Sequence, residues 1–131
     1  MHFVLRLSAL AAAILLAQTA FAGTIVVDVN GGGDYTDIQP ALTAAAAGDT
    51  ILIMPGTYVG ADNKNWDLEG KNLTVRSSAG AATTIVDCEG SNGVLVLNPG
   101  EAGPTTVLEG LTLTGGGQFS GGLVYLWESS P

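Results

Sequence analysis

Residues 62–67, with the sequence DNKNWD, form the stretch of this chain whose side chains are best suited to chemistry. Two carboxylates and the neighbouring amide oxygens are ligands of the type that calcium prefers. Trp66 adds an aromatic face on which a sugar ring can stack. The spacing of the acidic residues, however, matches no known calcium-binding loop. We therefore predict a polar loop here, and we predict no catalytic, cofactor-binding or metal-binding residue in the chain.

Other polar and aromatic residues also favour structural roles. Trp127, beside Glu128, is a second possible sugar platform, but its place in a predicted strand favours a wall position. Asn72 begins a glycosylation sequon, yet Leu73 within it is expected to be buried in a strand, which disfavours modification. The remaining aspartates are expected to be solvated or to cap turns: Asp28, Asp34, Asp37, Asp49 and Asp87.

Residues 1–22 have the three parts of a secretory signal peptide. Arg6 precedes an apolar run over residues 7–16, and small residues stand at Ala20 and Ala22. The run is too short for a membrane span, which needs roughly 20 apolar residues. We therefore predict export, cleavage after Ala22, a mature chain that starts at Gly23, and no membrane span after cleavage.

Signal removal changes both the charge and the available chemistry. It removes Arg6 and no acidic residue, so three basic residues face twelve acidic ones and the net charge becomes about −9. Such a surface repels phosphate backbones and anionic lipid headgroups, so binding to nucleic acid or a membrane surface is not expected. The single histidine, His2, is also lost, which excludes histidine-dependent catalysis and zinc sites with histidine ligands. Cys88, the lone cysteine, is expected to be a small buried side chain.

The mature chain begins with a predicted strand and one predicted helix. Residues 24–29 are rich in β-branched side chains, which favours a strand. Residues 37–47 carry apolar side chains on one helical face, with Thr36 and Gln39 at capping-box spacing and Gly48 as the stop. The glycines between the two elements invite a dinucleotide-binding interpretation, but Thr36 stands where the third glycine is required.

From residue 50 onward, short apolar runs that predict strands alternate with turn residues. These runs cover residues 50–54, 73–76, 84–87, 94–97, 106–108, 111–114 and 123–126. The runs span only three to five residues and lack clear hairpin signals, which favours a β-solenoid over a β-sandwich. An internal echo supports this interpretation, because residues 68–75 (LEGKNLTV) resemble residues 108–113 (LEGLTL). We interpret the separation as two turns of a coil of about twenty residues.

Several segments resemble the pectin-lyase-like superfamily of right-handed parallel β-helices. Residues 33–39 (GDYTDIQ), 47–51 (AGDTI) and 55–58 (PGTY) are similar to its N-terminal entry, and residues 108–115 (LEGLTLTG) to one of its first rungs. Residues 121–125 (GGLVY) resemble an element of polymorphic outer-membrane-type β-helix repeats.

In such a fold we expect Gly56 to turn the corner after the first strand, with Pro55 presetting the bend. Tyr58 is large for a narrow core, so we expect it to lie across the cap or wall with its hydroxyl near solvent. The resemblance implies two kinds of function, since the superfamily contains polysaccharide lyases and hydrolases as well as non-enzymatic surface proteins. Its lyases use calcium-binding carboxylates and a basic residue that project from one sheet. This chain supplies no such set, although a full-length parent could bind calcium.

These observations give one combined prediction. Residues 1–22 are a signal peptide, residues 23–49 a strand and capping α-helix, and residues 50–131 the first rungs of an all-β, right-handed parallel β-helix. The chain is expected to be truncated at residues 129–131, to self-associate through its open C-terminal edge, and to be secreted or held at the cell surface or outer membrane. The expected function is a scaffold without a catalytic site that faces polysaccharide or a surface partner. The alternative is the N-terminal fragment of a secreted polysaccharide lyase or glycoside hydrolase.

Overall fold

A computed structural model describes residues 22–90, 95–96, 106–116 and 124–125. The predicted signal peptide, apart from Ala22, lies outside the described residues, as do Trp127 and the predicted break at residues 129–131. Within the described part most of the regular elements are strands, and every strand pair is parallel. The predicted β-rich fold is therefore confirmed.

The strands of the described residues form three parallel sheets. Sheet 1 contains four strands: β1 (Thr24–Val27), β2 (Thr50–Ile53), β5 (Thr74–Ser77) and β8 (Val107–Glu109). Sheet 2 contains three strands: β3 (Gly56–Tyr58), β6 (Thr84–Asp87) and β9 (Thr112–Thr114). Sheet 3 contains three short strands: β4 (Trp66–Asp67), β7 (Leu95–Val96) and β10 (Val124–Tyr125). From β2 onward the chain visits sheets 1, 2 and 3 in a repeating order.

Parallel register stacks like positions of successive strands on one another. In sheet 1, Ile51 pairs with Val75 and Val75 with Leu108, and the first two of these side chains are fully buried. In sheet 2, Tyr58 pairs with Val86, and both are fully buried. Burial of each such aliphatic side chain stabilises the fold by roughly 1.5–3 kcal/mol. Sheets 1 and 2 therefore contribute inward rows to the core, and Trp66 of β4 adds a buried side chain from sheet 3.

The interval between paired residues is longer than the sequence echo predicts. Thr50 pairs with Thr74, 24 residues later, and Thr74 pairs with Val107, 33 residues later. The prediction of a coil of about twenty residues is therefore wrong. The physical reason lies in the corners, since Glu-Gly recurs at residues 69–70, 89–90 and 109–110, always twenty residues apart. These corners end β4, β6 and β8, which belong to three different sheets, so twenty residues span two sides of a three-sheet cycle.

Two of the three corners share one local structure. Asp67 Oδ1 accepts a hydrogen bond from Glu69 N at 2.8 Å, and Asp87 Oδ1 accepts one from Glu89 N at 2.9 Å. Both glutamates have φ of 52°, in the left-handed region, and each is followed by a glycine with positive φ. The aspartate side chain thus fixes the turn that the chain needs at the end of each strand.

The free edge of β1 is paired by the chain that follows it. Asp34 N donates to Val26 O at 2.8 Å, and Asp34 Oδ2 accepts from Val26 N at 2.9 Å. Asp28 N donates to Tyr35 O at 2.9 Å, and Val27 forms a parallel bridge with Tyr35. An unpaired strand edge invites association with other chains, so this segment satisfies groups that would otherwise be exposed.

One α-helix is present in the described residues, α1 (Ile38–Ala44), and it is shorter than the predicted span of 37–47. The residue before it is Asp37, whose own side chain makes no capping hydrogen bond, so the predicted Thr36–Gln39 capping box is wrong. Gly48 does not end the helix, because the chain already leaves helical geometry at Ala45. Ile38, Ala41 and Leu42 of α1 are fully buried, as the predicted apolar face requires.

Candidate functional site

Residues 62–67, the predicted polar loop, contain the most deeply anchored polar side chain of the candidate region. Asn63 ends a 3-10 helix (Ala61–Asn63) and is only 2% exposed. Its Nδ2 donates to Asp37 Oδ1 and to Val59 O, both at 2.8 Å, and its Oδ1 accepts from Ile38 N at 2.9 Å. Asn63 thereby supplies an acceptor for an N–H of the first turn of α1, which has no partner within the helix. Its amide is used entirely by the fold.

Trp66 is fully buried and forms part of strand β4. Its Nε1 donates to Asn63 O at 3.0 Å, which satisfies the one polar atom of the indole. A buried indole has no free face for a sugar ring, so the sugar-stacking possibility is wrong for Trp66. Sequence reasoning missed this strand, because its neighbours are polar and a two-residue strand is too short to show alternation of polar and apolar residues.

The charged residues of the loop do not converge on one point. Asp62 is exposed, whereas the Lys64 Nζ lies 4.0 Å from Glu89 Oε1, which also accepts a hydrogen bond from Gly60 N at 2.7 Å. Asp67 uses a side-chain oxygen in the corner described above. Within the described ranges, no group of three or more His, Cys, Asp or Glu side chains is placed to hold a metal ion.

Gln39 makes a contact that the sequence did not indicate. Its Nε2 donates to Asp67 O at 3.0 Å, and its Oε1 accepts from Asp67 N at 2.9 Å. A side-chain amide that binds one residue through both backbone groups reproduces the pair of bonds that a neighbouring strand supplies. Gln39 of α1 therefore occupies the free edge of β4, much as residues 34–35 occupy that of β1.

Lys71 holds the other end of α1. Its Nζ donates to Leu42 O at 2.6 Å, to Ala45 O at 2.8 Å and to Thr43 O at 3.2 Å. The last carbonyls of a helix lack intrahelical partners and carry partial negative charge, so an ammonium group there is favourable. Sequence reasoning missed this role because Lys71 lies more than 25 residues from each of these partners.

We expect Lys71→Met to lower the free energy of unfolding by about 1–2 kcal/mol, because three carbonyls lose a charged donor. The measurement is urea denaturation followed by circular dichroism. Lys64→Met is the matched control, since Lys64 is similarly shielded but has only the 4.0 Å pair with Glu89. We expect the control to change stability by less than about 0.5 kcal/mol. Equal losses in the two variants would contradict a specific role for Lys71.

The position of Tyr58 differs from the prediction, which placed its hydroxyl near solvent. It is fully buried, and its hydroxyl donates to Met54 O at 2.8 Å and accepts from Val29 N at 3.2 Å. Burial is the main cause that raises the pKa of Tyr58, and the nearby charge of Asp28 adds to it. Gly56, two residues earlier, leaves room for the Val29 side chain, which a Cβ at that position would meet at 2.5 Å. The prediction failed because backbone groups of Val29 and Met54 satisfy the hydroxyl away from solvent, and the sequence does not show that they meet it.

Several aspartates cap turns as predicted. Asp28 Oδ1 accepts from Asn30 N at 2.9 Å, and Asp49 accepts from Gly23 N and Ala46 N, both at 2.8 Å. Hydrogen bonds from these two N–H groups lower the pKa of Asp49, so it is ionised at neutral pH. Asp34 and Asp37 do not cap turns, because Asp34 Oδ2 accepts from Val26 N of strand β1 and Asp37 Oδ1 accepts from the Asn63 side chain.

The thiol of Cys88 is fully buried, as predicted. Burial is the main cause that raises the pKa of Cys88. A thiol with a raised pKa and no access to solvent is a poor nucleophile. Cys88 therefore belongs to the core, where it sits between strand β6 and the corner at Glu89.

Comparisons of the chain with protein-family models, with curated proteins and with solved structures gave no match. Across the portions of the chain that the structure describes, no helix has the length and apolar character needed to span a bilayer. In the described residues, side chains of residues 62–67 form hydrogen bonds from Asn63 to α1, from β4 to Asn63 and within the corner at Glu69.

Proposed function

We propose that this chain is the exported N-terminal part of a right-handed parallel β-helix, and that it acts as a non-catalytic scaffold that faces carbohydrate or a partner. The observation that carries this proposal is the cyclic order of the strands. Parallel pairs join each strand from β2 to β7 to the strand three places later in the chain. Stacked inward rows of this kind are the means by which solenoids build a narrow core.

In this proposal α1 and the residues before it form the cap of the β-helix. Residues 34–35 bond to the edge of β1, and Gln39 bonds to the edge of β4. Asn63 and Lys71 then fix the two ends of α1 on the first strands. The polar side chains that looked available for chemistry are thus used to close the first edge, which supports a structural role for this region.

Calcium-dependent lyase activity gives the direct test of the scaffold role. We expect the purified chain to release no unsaturated uronide from polygalacturonate, with or without added calcium, and calcium to leave its urea denaturation midpoint unchanged. A buried Trp66 and dispersed carboxylates provide no site for either substrate or metal. Release of unsaturated product would contradict the scaffold proposal and support the alternative, the N-terminal part of a polysaccharide lyase.

Export is tested separately by expression of the full sequence in a host with a general secretion pathway. We expect the protein in the medium or on the cell surface, with Gly23 as its first residue by N-terminal sequencing. Retention in the cytoplasm with Met1 or His2 at the N-terminus would contradict export.

A further inference from the structure

The backbone nitrogen of Gly23 is held by a carboxylate at the start of sheet 1. Gly23 N donates to Asp49 Oδ1 at 2.8 Å, while Asp49 Oδ2 accepts from Ala46 N at 2.8 Å. Asp49 is only 9% exposed, so this carboxylate is shielded from most of the solvent. Both carboxylate oxygens of Asp49 therefore accept hydrogen bonds from backbone N–H groups, and one of these groups belongs to Gly23.

Gly23 is fixed on its carbonyl side as well. Thr50 N donates to Gly23 O at 2.9 Å, and the next residue, Thr24, pairs with Thr50 in the ladder. Ala22 and Gly23 are nevertheless both exposed, so the peptide bond between them is accessible. The peptide bond between Ala22 and Gly23 is thus accessible, and its nitrogen already donates a hydrogen bond to the Asp49 carboxylate.

We propose that cleavage between Ala22 and Gly23 converts this hydrogen bond into an ion pair that stabilises the folded protein. This inference rests on the proposed export, which predicts cleavage at the same bond. In the hydrolysis the C–N bond breaks, water supplies the oxygen that makes Ala22 a carboxylate, and the Gly23 nitrogen ends as an ammonium. The ammonium then lies at hydrogen-bond distance from Asp49, and charge-assisted bonds are roughly twice as strong as neutral ones.

The charges around the new ammonium favour the pair. Asp49 is ionised at neutral pH, since the ordinary pKa of an aspartate already lies well below 7. The N–H groups that donate hydrogen bonds to it, and to a lesser extent the charge of Lys71, lower its pKa further. Lys71 is the other cation near this carboxylate, and its three donated bonds go to carbonyls of residues 42, 43 and 45. Asp49 therefore remains available to the ammonium of Gly23.

The pH dependence of the effect follows from the ammonium. A protonated amine that gains a partner on folding contributes stability below its ordinary pKa of about 8, and this contribution is lost as the pH rises well above that value. Asp49, whose pKa is lowered in the fold, contributes stability above the ordinary carboxyl pKa and loses it in acid. The ion pair is therefore strongest between about pH 5 and pH 8.

The test compares three purified chains that all end at residue 131: one that begins with a free Gly23, one with Gly23 acetylated, and one that begins with Ala22. At pH 7 we expect the free Gly23 chain to have a folding equilibrium constant about fivefold larger than the other two. Urea denaturation followed by circular dichroism gives the constants. The advantage should vanish at pH 10 and in the Asp49→Asn background, because one or the other charge is then absent.

Two outcomes would overturn the inference: equal stability of the free and acetylated chains at pH 7, or an advantage that persists in Asp49→Asn. If Asp49→Asn fails to fold, the pH series on the native sequence still decides the question. These results are independent of export, because the chains are prepared with a defined first residue. A failure of export would appear only in the N-terminal sequence of the expressed protein.

Discussion

Trp66→Ala is expected to lower the free energy of unfolding by about 3–5 kcal/mol, the range found when a large aromatic is removed from a core. Trp66 has no exposed surface, and it links strand β4 to Asn63 through its indole N–H. A loss of this size is a large part of the total stability of a small domain, so we expect partial unfolding at 37 °C. The measurement is urea denaturation followed by circular dichroism.

Two further variants make the Trp66 experiment specific. Trp66→Phe keeps most of the apolar volume and loses only the indole hydrogen bond, so its expected loss is about half that of Trp66→Ala or less. Val107→Ala removes an apolar side chain that is 43% exposed, and we expect little change. If Trp66→Ala unfolds no more readily than Val107→Ala, then Trp66 is a surface residue and its use as a sugar platform becomes open again.

Asn63→Ala is expected to lower the free energy of unfolding by about 2–4 kcal/mol. The substitution removes the acceptor of Ile38 N and the donor of Val59 O, and it leaves Asp37 without a hydrogen bond from the amide. Buried groups that lose their partner cost about 1–3 kcal/mol each, and relaxation of the loop recovers part of that sum. Thermal and urea denaturation together give the magnitude.

The control for Asn63 is Asp62→Ala in the same 3-10 helix. Asp62 is exposed, so we expect its replacement to change stability by no more than about 0.5 kcal/mol. Hydrogen exchange gives a second measurement, because loss of Asn63 should increase the exchange rate of the Ile38 amide before that of the sheet 1 amides. Unchanged protection of Ile38 would contradict the role of Asn63 as the anchor of α1.

The strands that the sequence predicted well are those with β-branched alternation. Residues 84–87 were predicted and observed with the same bounds, and β1 and β2 differ from their predictions only at the C-terminal end. The strands that were missed, β3 and β4, contain two or three residues and include a glycine or a polar neighbour. Their conformation is set by pairing with β6 and β7, which are distant in sequence. Local propensity therefore does not predict these strands.

The candidate site was harder to predict than the fold. The residue types in residues 62–67 suggest ligands, but the decisive facts are contacts made across 25 residues or more, such as those of Asn63 with Asp37 and Ile38. Lys71 and Gln39 likewise act on elements that lie far from them in the sequence. Sequence spacing alone did not distinguish a polar loop that binds a ligand from one that binds its own helix.

The Glu-Gly corners have a consequence for how such a chain can change its length. Because a step of twenty residues advances the chain by two of the three sheets, an insertion of twenty or forty residues would shift every later strand into a different sheet. Inward side chains such as Val86 would then have to stack on rows built for other residues. Sixty residues restore the original alignment and add two strands to each sheet. Insertions that keep the stacked rows intact are therefore expected in units of three corners, although the visible repeat is a single corner.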